Sequence, residues 1–159
     1  MTTAVHLSHA SGYLALGMLN EATEELALIA VGDQGLPSVL AARIGLHTAK
    51  KEWGTVIGIG EQLATRCPKL EAGWISWAYA LRELNRVEEA KAVLLEAEPI
   101  HGKSGILHYN LACYYCLLGD AAEGIERLRR ACGMDKHWKE AALDDPDLKA
   151  IWGDIEAIK

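Results

Sequence analysis

Phenylalanine is absent from this chain of 159 residues. The large aromatic volume comes instead from five tryptophans and five tyrosines, rings that carry a polar group. Clustered positive charge is nearly absent too. The one dense basic run, Arg127, Arg129 and Arg130, has Glu123 and Glu126 beside it on the same predicted helix. The formal net charge is −6 and the pI about 5.5. Phosphate binding requires clustered Lys and Arg, so nucleic acid is not an expected partner. No run of about 18 apolar residues exists to span a bilayer, so no membrane partner is expected either. Residues 1–11 hold no Lys or Arg, and the apolar run 13–19 leads into Glu21, Glu24 and Glu25 without a small-residue cleavage site. That is not a secretory signal. The expected compartment is cytoplasmic, and the four cysteines, set in apolar helical patterns, are read as reduced thiols.

What the chain has is periodicity. Residues 108–131 read as two amphipathic helices joined by a turn at Leu118, Gly119 and Asp120. Leu111, Ala112 and Tyr115 share one face of the first helix, and Gly124, Leu128 and Ala131 one face of the second. Gly119 can take the left-handed conformation that ends a helix, and Asp120 can cap the next. One hairpin cannot bury its own apolar face, so copies are required. A shift of 34 residues lays the chain on itself as units 3–36, 37–70, 71–104 and 105–138 without a gap. Ala10, Ile44, Ala78 and Ala112 fall in one phase, and Tyr13, His47, Leu81 and Tyr115 in another. The second helices align Ala22, Val56, Ala90 and Gly124, then Leu26, Gly60, Leu94 and Leu128. The turns align Gly17, Lys51, Asn85 and Gly119.

These phases resemble the tetratricopeptide repeat, whose pattern sets Trp, Leu, Gly and Tyr on the first helix and Ala, an aromatic and Ala on the second. Trp74, Trp77, Ala78, Leu81, Ala90, Leu94 and Ala97 match it in the third unit. Leu111, Ala112, Tyr115, Leu128 and Ala131 match in the fourth, and Ala10, Tyr13, Gly17, Ala22 and Leu26 in the first. The second unit keeps Leu40, Ile44, Leu63 and Pro68, but has Arg43, His47 and Gly60 where apolar residues are usual. The resemblance covers residues 3–138. It implies an all-α fold, a right-handed α-solenoid of helix-turn-helix units. The second unit is expected to be the softest, because Gly45, Gly54, Gly58 and Gly60 lie in or beside its helices and each interior Gly costs about 0.8–1 kcal/mol against Ala. Residues 139–143 read as a short helix broken at Asp145 and Pro146. A closing helix over 147–158 should then set Leu148, Ile151, Trp152 and Ile155 on one face.

In this family the first helices line a concave groove. Carrying its phases over points to Leu7, Ser11, Ala41, Gly45, Ile75, Tyr79, Arg82, Tyr109, Asn110, Cys113 and Cys116, with Leu14, Thr48 and Ser76 beside them and His137 and Trp138 at the end. A groove mostly small and apolar suits an apolar or amphipathic peptide segment. The weighed alternative is that these residues pack on one another or on the chain's own terminus. Positions matching the basic clamp for acidic C-terminal peptides hold Leu7, Ser11, Ala42, Ala72 and Ser76, none of them basic, so that mode is not expected.

No cofactor, metal or catalytic constellation emerges. Cys113 and Cys116 have the CxxC spacing, but Cys113 lies mid-helix, away from the dipole that activates a thiol. His6 and His9 are read as packing residues, as is His47. Asp144, Asp145 and Asp147 are read as a loop-to-helix cap. The expectation is a non-enzymatic adaptor that binds a protein or peptide. Its alternatives are a secretion-type chaperone of the same family, or a scaffold that forms a homodimer through the groove or the closing helix.

Overall fold

The computed structural model describes residues 1–159 and contains helices and turns but no strand. The helices are α1 (Thr3–Ala15), α2 (Leu19–Ala27), α3 (Pro37–Ala49), α4 (Trp53–Arg66), α5 (Glu71–Glu83), α6 (Val87–His101), α7 (Gly105–Leu117) and α8 (Ala121–Met134), followed by the short α9 (His137–Leu143) and α10 (Trp152–Ile155). The odd-numbered helices from α1 to α7 start 34 residues apart, and so do the even-numbered ones from α2 to α8.

Local turn chemistry sets this regularity. The four residues with left-handed backbone are Gly17, Lys51, Asn85 and Gly119, with φ of 73°, 57°, 59° and 87°. Each follows the end of a first helix and is crossed by the same six-residue hydrogen bond. Met18 N donates to Tyr13 O, Glu52 N to His47 O and Asp120 N to Tyr115 O at 2.9 Å, and Arg86 N to Leu81 O at 2.8 Å. This is the Schellman closure, which satisfies a carbonyl the helix end leaves open and reverses the chain. Four of the starts are set as locally. Thr2, Ser104 and Asp120 cap α1, α7 and α8 with side-chain oxygens, and Pro37 opens α3. The exception is α2, which stops at Ala27. Val31–Asp33 then winds as a 3₁₀ turn, and Gln34 Nε2 donates to the carbonyls of Leu26 and Ile29 at 3.2 and 2.8 Å.

The chain forms two compact units, Met1–Ala80 and Leu81–Lys159. In the first, α1, α2 and α3 enclose Ala10, Ala22, Leu26, Ile29, Val39 and Leu46. A second cluster holds Leu40, Ile44, Val56, Ile59, Leu63 and Ala80. Gly60 and Gly73 let α4 and α5 touch through their backbones. A Cβ at Gly60 would lie 3.0 Å from Trp77 N, and one at Gly73 would lie 2.7 Å from Ala64 N. Gly60 therefore belongs to the contact that joins these helices, besides weakening α4 locally.

In the second unit α7 and α8 meet at small residues. Ala112 and Ala131 are fully buried, and a Cβ on Gly124 would overlap Cys116 Sγ. A buried polar network pins the pair. His108 Nε2 donates to Gly102 O at 2.7 Å, so its Nδ1 accepts from Arg127 at 3.3 Å and the ring is the neutral Nε2–H tautomer. Arg127 also binds Glu98 and Glu123.

The closing segment differs from the continuous helix expected over 147–158. Pro146–Ile151 is a 3₁₀ turn and α10 spans four residues. Leu148, Ile151 and Ile155 are fully buried, whereas Trp152 faces outward and donates from Nε1 to the carbonyls of Ala142 and Asp145 at 3.1 Å. With about three residues per turn, 148 and 151 eclipse and 152 swings off that face.

Candidate interaction faces

The positions carried over from the repeat pattern fall into two groups. In the first unit they are open. Ser11, Ala41 and Gly45 are exposed on α1 and α3, and Leu7, Ile75, Leu14 and Thr48 are half-buried beside them. A Cβ on Gly45 would meet only Leu14 Cδ1, at 3.8 Å. Tyr79 is 43% exposed, its ring edge-on to Trp53 at 5.8 Å. Apart from Tyr79 these side chains are small or aliphatic, and none is charged.

In the second unit three of the matching positions are engaged by the chain's own closing segment. Tyr109 is 7% exposed and donates its hydroxyl to Asp145 at 2.8 Å. Trp138 stacks on its ring at 4.8 Å. Arg82 binds Asp147 through Nε and Nη2 at 2.9 and 2.7 Å, a bidentate pair. Cys113 and Cys116 are buried, and Asn110 is half-buried. Here packing on the chain's own terminus, the alternative weighed for these residues, describes Tyr109, Arg82 and Cys113.

The sequence marks Asp145 and Asp147 as cap residues alone. Asp145 does cap the 3₁₀ turn, accepting from Asp147 N at 3.0 Å, but both also reach back to the helices. One signal in the sequence points to this: Arg82 is the single charge in an otherwise uncharged phase, and a half-buried guanidinium demands a carboxylate.

The CxxC thiols are held protonated. Burial first, then the charges of Asp145 and Asp147, raise Cys113 far above an ordinary thiol. Burial pushes Cys116 up to about 11. Cys113 Sγ and one oxygen each of Asp145 and Asp147 lie within 4.8 Å of one another, the one grouping that could hold a cation. Arg82 already supplies that positive charge and Tyr109 binds Asp145, so an ion would have to displace the guanidinium. The histidines divide: His6 is buried with Nδ1 donating to Glu25 at 2.7 Å, His9 is half-exposed and reaches the same oxygen at 3.1 Å, and His47 pairs with Glu52 at 3.2 Å.

No family model matches the chain, and no curated protein matches it in sequence. Among solved structures it is similar to a thermophilic TPR protein of Thermus thermophilus, with a TM-score of 0.73 at 18% identity over 97% of this chain and 98% of that one. It is also similar to MamA MSR-1 C2, with a TM-score of 0.71 at 18% identity over 86% of this chain and 79% of that one. The fold is the tetratricopeptide α-solenoid.

Proposed function

We propose that this chain is a non-enzymatic protein-interaction module, four 34-residue units closed by residues 139–159, that takes an apolar or amphipathic peptide on the α1, α3 and α5 face of its N-terminal unit. The observation that carries this reading is the contrast between two tyrosines of the first helices. Tyr109 is sealed by Asp145 and Trp138, whereas Tyr79 stands 43% exposed on a face lined by the small residues Ser11, Ala41 and Gly45. An exposed ring over shallow apolar ground is the anchor such surfaces use. The similar TPR structures support an interaction module in general. No helix is long and apolar enough to cross a membrane.

The test is co-purification from source cells with the wild type, Tyr79→Ala and Gly45→Arg. Both positions are exposed, so the fold should survive, as circular dichroism will report. Loss of the same partners from both variants supports the reading. Full retention by both overturns it.

A further inference from the structure

α1 presents a second face that its own unit leaves uncovered. Val5, His9, Gly12 and Leu16 recur at i, i+4, i+7 and i+11, a single stripe. The 34-residue shift lays this stripe on Val39, Arg43, Leu46 and Lys50 of α3. There Val39 and Leu46 are buried with Ala22 and Leu26 of the preceding second helix and with Ile29 just beyond it. One shift further it falls on Gly73, Trp77 and Ala80 of α5. Gly73 packs on the backbone of Ala64, and Trp77 on Gly60, again in the preceding second helix. In both places the stripe is the seat of a helix. On α1 no helix occupies it. Leu16 is 74% exposed, and Ser8, His9, Gly12, Tyr13 and Leu16 line an open depression of about 340 Å³.

Charge identifies what fits there. Residues 1–42 contain Glu21, Glu24, Glu25 and Asp33 and no Lys or Arg. Glu25 borders the stripe through its bond to His9, and the exposed Leu28 follows the last residue of α2. We propose that this face docks a basic amphipathic helix of another protein, its apolar ridge on Val5, Gly12, Leu16 and Leu28 and its lysines or arginines towards Glu21, Glu24 and Glu25. A second copy of the chain fits worse, because it would set the same carboxylates against one another.

The probe is a synthetic amphipathic peptide with one leucine face and one lysine face, alongside a scrambled peptide of the same composition. Binding is followed by fluorescence anisotropy and by amide chemical-shift mapping. Expected is saturable binding that weakens with salt and perturbs residues 5–16 and 21–31. The scrambled peptide, and the exposed-residue variant Leu16→Lys with Leu28→Lys, should each lose about tenfold or more in affinity. Equal binding of the scrambled peptide, or undiminished binding by the leucine variant, overturns the proposal. Shifts centred on Ala41, Gly45 and Tyr79 overturn it while leaving the inner-face reading intact. A wild-type dimer in sedimentation that the leucine variant abolishes would replace the foreign helix with a second copy.

Discussion

Gly58 and Gly60 sit two residues apart on α4 and act in opposite directions. Gly58 is exposed and a Cβ there meets nothing, whereas a Cβ at Gly60 would press on the Trp77 backbone. Gly58→Ala should raise stability by about 0.8–1 kcal/mol through helix propensity. Gly60→Ala should lower it by about 1–3 kcal/mol, because backbone cannot step aside as a side chain can. Urea unfolding of the two variants checks both, and a stabilising Gly60→Ala would refute the packing argument. The thiols differ in the same residue-specific way. Cys67 is half-buried, while Cys113 and Cys116 are buried, both with raised pKa. Only the thiolate reacts. Iodoacetamide at neutral pH should therefore modify Cys67 first and reach Cys113 and Cys116 only on unfolding, as peptide mapping would show. The turn residues are legible in the sequence, since Gly17 and Gly119 announce a left-handed position and periodicity carries it to Lys51 and Asn85. The packing role of Gly60 is not, because nothing local to α4 records that Trp77 sits there.

Between elements, two contacts carry separate expectations. Glu25 on α2 binds His6 and His9 on α1, and these bonds, that from His6 above all, hold its carboxyl below the ordinary 4.5 against a smaller opposing effect of burial. A carboxyl depressed on folding stabilises fully above its unfolded pKa, and that contribution is lost as pH falls through the folded value. Glu25→Gln should thus flatten the loss of stability on acidification through the carboxylate range while leaving the alkaline arm of the curve unchanged in slope. Thermal melts across a pH series measure it. The closing segment is tied by Arg82 and Asp147. Asp147→Ala removes two charge-assisted bonds and leaves a half-buried guanidinium alone, which should cost about 1.5–3 kcal/mol. A double-mutant cycle with Arg82→Met isolates the coupling, and additive effects would show that the pair contributes little. The break at Pro146 can be read from sequence. The 3₁₀ winding that follows, and the outward turn of Trp152, depend on which residues of the second unit are left to cover.

At the scale of the whole molecule, stability in a stack of hairpins is close to a sum of units and their interfaces. α4 bears Gly54 and Gly58 where a Cβ would meet nothing, whereas α7 and α8 are locked by the His108, Arg127 and Glu98 network. Native-state hydrogen exchange should be faster across Trp53–Arg66 than across Ala121–Met134. Equal protection in the two helices would refute a graded array. The first helices do not share one fate. In the N-terminal unit Ser11, Ala41, Gly45 and Tyr79 stay accessible, while in the C-terminal unit Tyr109, Arg82 and Cys113 are engaged by residues from beyond the last hairpin.

The sequence by itself determined the 34-residue period and the four turns that reverse the chain. Those features rest on left-handed residues that act within a few positions of themselves, so a repeat in sequence becomes a repeat in backbone. Only the tertiary structure decided which groove-phase residues stay exposed. Arg82 meets Asp147 across 65 residues and Tyr109 meets Asp145 across 36. Both carboxylates lie outside the repeat, where no period marks them. Pairings made by chain folding, between side chains that have no local reason to meet, leave a trace in the sequence only as an unexplained charge such as Arg82.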